Sequence, residues 1–193
     1  MKRFFVTALS ALLPVLAASH TGDVAHGHDF LSGFVHPLSG ADHLAAMLAV
    51  GLWSGLALQR PWRAPLAFAL MLLAGALAGL GGLAEMGLPA LEPMIAVSVL
   101  CLGLLAALRQ QMGPALAMAL VGFFAFFHGV AHGSELEGSL ALIGMVVATW
   151  GLHLLGLAMG LVLRRNALWQ LGLSRMLGGG IALLGLGLLL RVV

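Results

Sequence analysis

Six long stretches of this chain, at about 38–58, 64–83, 93–108, 114–131, 139–163 and 171–190, hold between them only two formally charged residues, Asp42 and Arg175. Each is close to the roughly 17–25 residues that a helix rising about 1.5 Å per residue needs to cross a hydrocarbon core. In lipid the backbone must satisfy its own hydrogen bonds, which leaves helices or closed barrels. A barrel would alternate apolar and polar residues over segments of about ten. These runs are instead continuously Leu-, Ala- and Gly-rich, so they read as helices. The whole chain agrees, with 61% hydrophobic and 8% charged residues among 193, where a soluble domain carries roughly 25% charge. Mean hydropathy is +1.07. The expected fold is all-α, a polytopic membrane protein with six transmembrane helices.

Charge sets the expected topology. Met1-Lys2-Arg3, the apolar stretch Phe4–Leu16 and the small residues Ala17-Ala18-Ser19 have the form of a secretory signal peptide, 1–19, cleaved after Ser19. An uncleaved first helix is the alternative. Residues 20–37 then form a His/Asp-rich periplasmic segment, and 38–193 the six-helix domain. Arg60 and Arg63, then Arg109, then Arg164, Arg165 and Arg175 fall in or beside alternate loops, which the positive-inside rule makes cytoplasmic. The other loops carry Glu85 and Glu92, then Glu135 and Glu137. Both termini of the mature chain are therefore expected in the periplasm.

Several function classes drop out. A pI near 9.5 would suit a nucleic-acid binder only if the basic residues formed a face, and here they are scattered singly. Cys101 stands alone in an apolar run, so it has no CxxC partner and reads as a small buried hydrophobe. No P-loop is present, which argues against ATP hydrolysis by this chain and leaves no ATPase subunit evident. Four glycine pairs at four-residue spacing, Gly51/Gly55, Gly75/Gly79, Gly129/Gly133 and Gly156/Gly160, predict closely packed helices, with a dimer face as the alternative.

The informative exceptions are eight histidines. His36, Asp42 and His43 lead into the first span, where Pro37, Ser39 and Gly40 imply a helix that breaks or begins, with Ser39 as a candidate N-cap. If the helix ran through, His36 and His43 would still share a face, two turns apart. His128, His132 and Glu135 stand at i, i+4 and i+7, within about a 60° arc at the outer end of the fourth span. Imidazole with carboxylate suits a divalent Ni, Co, Zn or Fe ion, and ionisable residues inside spans mark ion or substrate paths. His20, His26 and His28, with Asp23 and Asp29, make the N-terminal segment a possible cation collector. His153, about fourteen residues and roughly 21 Å into the fifth span, is either a packing hydrogen-bonder or a deeper contact. Met47 and Met159 are better read as core filling than as thioether ligands.

His36-x5-Asp42-His43 and Phe127-His128-Gly129-x-Ala131-His132-Gly133-x-Glu135 resemble the two motifs of the HupE/UreJ family of nickel/cobalt permeases. The resemblance extends over essentially the whole chain. It implies uptake of Ni²⁺ or Co²⁺ across the bacterial inner membrane for hydrogenase or urease maturation. By the same carry-over, His36, Asp42, His43, His128, His132 and Glu135 become the metal-handling residues. No resident cofactor and no enzymatic activity are expected; the partners are the divalent ion and the bilayer. Neutral imidazoles are needed for ligation, so uptake is expected to fall below about pH 6.5 unless protons drive the cycle by symport. Two rivals use the same residues: an intramembrane zinc hydrolase, disfavoured by the lack of HExxH and of an evident paired nucleophile, and a His-ligated haem carrier.

Overall fold

The computed structural model describes residues 29–83, 90–136, 138–165 and 167–193. The expected signal peptide, Glu85 and Glu137 lie outside the described residues. Among the described residues seven α-helices follow one another: α1 Phe30–Ser39, α2 Ala41–Ala57, α3 Arg63–Ala78, α4 Leu91–Ala107, α5 Pro114–Glu135, α6 Ser139–Leu163 and α7 Leu168–Val192. Among the described residues there is no strand. Four helices are long and apolar enough to cross a membrane: α3 with its extension to Leu83, α5, α6 and α7. The other two apolar helices, α2 and α4, have 17 residues each, the lower end of the spanning range. The outer surface is apolar, with Leu183, Leu190 and Leu168 all exposed, while His128, His132 and His153 are wholly buried. An all-helical chain that is greasy outside and polar within is consistent with a membrane protein.

The expected first span differs most. The helix starts earlier, at Phe30, because the Asp29 side chain accepts the Ser32 backbone N–H at 2.7 Å and the Ser32 hydroxyl donates to Asp29 O at 2.7 Å. That same backbone N–H holds the Asp29 carboxyl below the ordinary carboxylate range. Ser39 is not an N-cap. It closes α1, its hydroxyl donating to His36 O at 2.7 Å, and Gly40 is the residue between the two helices, in extended conformation. A Cβ on Gly40 would stand 2.8 Å from Asp42 Oδ1, so glycine leaves room for that carboxylate to fold back. The fourth span also runs longer than 114–131, because α5 continues unbroken through Glu135. Toward its end α3 widens into a looser turn over Gly79–Leu83, finishing with Gly82 at φ 91°, in the left-handed region that glycine tolerates.

The glycine pairs do pack helices tightly. A Cβ on Gly55 would sit 2.6 Å from Leu157 O and 2.8 Å from Leu161 N, and Gly156 and Gly160 reciprocate against Leu48 and Leu52, so α2 and α6 lie backbone to backbone. Gly75 and Gly79 on α3 meet Gly129 and Gly133 on α5 in the same way. Both pairs run parallel. Gly103 on α4 meets Gly178 and Ala182 of the antiparallel α7. Cys101 is half-buried on α4 rather than enclosed.

At the arginine end, α4 stops in a Schellman arrangement, with Arg109 N–H bonded to Ala106 O and Gln110 N–H to Leu105 O. The residue in the left-handed position is Arg109, φ 49°, where glycine is usual. Its guanidinium compensates by donating to Ser174 Oγ, Leu163 O, Gln170 O and Arg165 O at 2.7–3.3 Å. These bonds join the end of α4 to the α6–α7 turn.

Two expectations follow. Ala normally favours a helix over Gly by about 1 kcal/mol, yet overpacking costs about 1–3 kcal/mol. Gly55→Ala should therefore lower the unfolding temperature in detergent, and Gly151→Ala, whose Cβ meets nothing within 4 Å, should leave it unchanged or raise it. Arg109→Lys retains the charge but replaces a fork of donors by a point charge; hydrogen exchange at 163–170 should accelerate.

Candidate metal centre

The last turn of α1, the first turn of α2 and the last two turns of α5 meet at the end of the bundle opposite Arg60, Arg63, Arg109 and Arg164. Continuity of α5 places His128, His132 and Glu135 on one stripe. The break at Gly40 lets His36 and the Asp42-His43 pair approach that stripe from two helices. His36 Nε2–H donates to Glu135 Oε2 at 2.8 Å. One ligand atom from each of His36, His132 and Glu135 lies within 4.8 Å of the other two. The His132 ring stands 4.8 Å from that of His36 and 4.3 Å from that of His43. His43 in turn meets His128 at 4.8 Å, almost perpendicular.

Asp42 joins this group through His43. Its Oδ1 accepts the His43 backbone N–H at 2.8 Å and His43 Nδ1–H at 3.0 Å. It thereby orients the ring while placing negative charge at the positive end of α2. A carboxylate can only accept, so the proton of neutral His43 is on Nδ1 and the lone pair on Nε2. That Nε2 is buried. Among the described residues it has no hydrogen-bond partner, and the same holds for His128 Nδ1, both ring nitrogens of His132, and His153 Nε2.

His153 lies deeper. Its Nδ1–H donates to Met47 O at 2.8 Å, as a packing histidine would, yet Nε2 is left bare. The Phe68 ring separates it from the outer group, 5.0 Å from His153 and 5.9 Å from His128. Met47 is core, fully buried with its sulfur accepting from Thr149 Oγ1 at 3.5 Å. Met159 packs against the same core. His20, His26 and His28 lie outside the described residues.

Reading motifs alone missed two residues. Ser98 on α4 is fully buried with Oγ 2.7 Å from His128 Nε2, and Phe68 stands between the histidines. Each had a faint signal: Ser98 is the one hydroxyl in its apolar run, and Phe68 the one aromatic in its own. Neither spacing says which histidine it will meet.

An unsatisfied buried polar atom costs about 1–3 kcal/mol. Five such nitrogens on four histidines buried in an apolar bundle make chemical sense where a cation visits them. Imidazole nitrogens and carboxylate oxygens are borderline-to-hard donors, suited to a divalent first-row metal.

Comparison with known proteins places the chain in a family. The family model described as HupE / UreJ protein matches residues 7–188, a span that includes both histidine groups. Protein HupE of Rhizobium leguminosarum bv. viciae is 39% identical over 189 residues, 95% of each chain. No solved structure matches. With the match reaching across α1 to α6 and into the last turns of α7, this chain belongs to the HupE/UreJ family.

Proposed function

We propose that this protein is a secondary transporter that takes up Ni²⁺ and/or Co²⁺ across the bacterial inner membrane and supplies hydrogenase or urease maturation. The observation that carries this reading is the group of buried imidazoles whose ring nitrogens lack partners among the described residues, with Asp42 and Glu135 beside it. In the proposed topology residues 1–19 are a cleaved signal, 20–37 face the periplasm, and α2 to α7 are six spans with both termini outside. The arginine end is then cytoplasmic.

The ion first meets His20, His26 and His28. It passes to His36, His132 and Glu135, where it displaces the His36–Glu135 hydrogen bond and gains a carboxylate charge. His43 and His128 lie next, with Asp42 behind His43. Each ring nitrogen replaces part of the ion's hydration shell, and the sites are successive rather than one closed cage, as conduction requires. Past Phe68, His153 offers a single nitrogen, a weaker stop. A cavity of about 280 Å³ opens at the far end, lined by Gln59, Arg60, Arg63, Gln111 and Met112 among others. Positive charge there offers a cation no further binding stop, so that end suits release rather than retention.

The hydrolase alternative would need an activated nucleophile. Ser98 beside His128 is the nearest thing to one, but its hydroxyl is bonded to Ile95 O at 2.6 Å and His128 Nδ1 has no third group orienting it among the described residues, so the relay of a nucleophile, base and orienting acid is incomplete. The reading as a transporter, not an enzyme, is therefore preferred.

In nickel-starved cells, expression should raise cellular nickel or cobalt, and His36→Ala, Asp42→Asn or His132→Ala should each abolish the gain. Unchanged uptake in all three variants overturns the site, and no gain with the wild type overturns the function. His153→Leu should separate binding from passage. Purified protein should keep its Ni²⁺ stoichiometry while uptake into vesicles slows at least several-fold; equal rates would remove His153 from the path.

A further inference from the structure

We propose that Ser98 is a positioning residue of the metal path: it holds the proton of His128 on Nε2, so that Nδ1 faces the histidine group as a bare lone pair. The proposal rests on the reading of that group as a Ni²⁺ or Co²⁺ path. Ser98 belongs to α4, which carries none of the six residues of the two motifs, and both Ser98 and His128 are fully buried.

A serine hydroxyl has one proton. Here Ile95 O, one turn back on the same helix, takes it at 2.6 Å, the back-bonding that serine commonly makes within helices. Toward His128 Nε2, 2.7 Å away, Ser98 Oγ is left as an acceptor, so Nε2 must bring the hydrogen. A neutral imidazole has only one, and Nδ1 is then unprotonated. The opposite arrangement, with Ser98 donating to Nε2, would put an N–H on Nδ1. That atom is buried and has no partner among the described residues, so the hydrogen would have nothing to bond.

His43 and His153 are built on the same plan. Asp42 takes the Nδ1 proton of one and Met47 O that of the other, and each presents its Nε2. Ser98 does from the opposite ring atom what those two acceptors do, which leaves the His128 lone pair on Nδ1 in a ring whose centroid is 4.8 Å from that of His43. Outer partners that fix a ligating histidine in this way are typically worth about 10–100-fold in metal affinity.

The test uses full-length protein in detergent with isotope-labelled histidine, read by side-chain nitrogen NMR without metal and then titrated with Ni²⁺ by calorimetry. Wild-type His128 should show the Nε2–H form. Ser98→Ala should give a mixture of tautomers and about 10–100-fold weaker Ni²⁺ binding, and Ser98→Thr, which keeps the hydroxyl, should restore both. A wild-type ring protonated on Nδ1 overturns the proposal without any variant being needed. So does Ser98→Ala binding Ni²⁺ as tightly as wild type. Wild-type protein that binds neither Ni²⁺ nor Co²⁺ overturns the transport reading instead, and the metal-free tautomer still decides what Ser98 does.

Discussion

The interaction on which the rest of this structure depends is the tether that gives three buried imidazoles, His43, His128 and His153, one partner each. Histidine in an apolar interior is costly because two ring nitrogens need partners, and an unmet one costs about 1–3 kcal/mol. Asp42 Oδ1, Met47 O and Ser98 Oγ each partner one nitrogen, of His43, His153 and His128 in turn, at 3.0, 2.8 and 2.7 Å. Among the described residues the second nitrogen of each of these three, and both nitrogens of His132, have no hydrogen-bond partner. A protein selected only for stability would fill these positions with leucine. Retaining them half-satisfied is sensible if the missing partner arrives from solution.

Close packing is what brings the rings into register. The Cβ-free surfaces of Gly51, Gly55, Gly156 and Gly160 let α2 and α6 touch along their backbones, and Gly75, Gly79, Gly129 and Gly133 do the same for α3 and α5. In lipid no hydrophobic force favours one helix pairing over another, so small residues that permit close approach decide the arrangement. His153 can reach Met47 O only because α6 lies this close to α2. Phe68 can touch both His128 and His153 only because α3 is held against α5. The glycines and the histidines are thus one device: the first set the distances at which the second meet.

Much of this was legible in the chain. The scarcity of charge announced helices in lipid, the i, i+4, i+7 spacing of His128, His132 and Glu135 announced a polar stripe, and the paired glycines announced tight contact. What spacing does not encode is which helices become neighbours. Ser98 looked like any hydroxyl in an apolar run, because its importance comes from α4 passing within hydrogen-bonding distance of α5. The start of α1 was missed for a local reason: Asp29 and Ser32 form a cap, but Pro37 and Gly40 drew the boundary several residues too late. Proline removes a donor and penalises the preceding turn, yet near the end of a ten-residue helix it ended nothing; Gly40 made the break.

That break also bears on how an ion could be both attracted and released. A divalent cation entering an apolar bundle needs negative charge, but a closed carboxylate cage would keep it. Here the two acids are held apart in role. Glu135 lies half-exposed at the end of α5 and shares its carboxylate with His36, so it can exchange one partner for another. Asp42 sits behind His43, accepting from both its ring and its backbone, and acts on an ion chiefly through the imidazole it polarises. On the proposed path His128 and then His153 follow His43, and the cavity lined by Arg60 and Arg63 lies at the far end. Affinity should therefore decline with depth, as direct carboxylate gives way to polarised imidazole, then to neutral imidazole, then to positive charge. Successive sites that are not too strong let the ion leave each one in turn, while the electrochemical gradient across the membrane sets the direction of net movement.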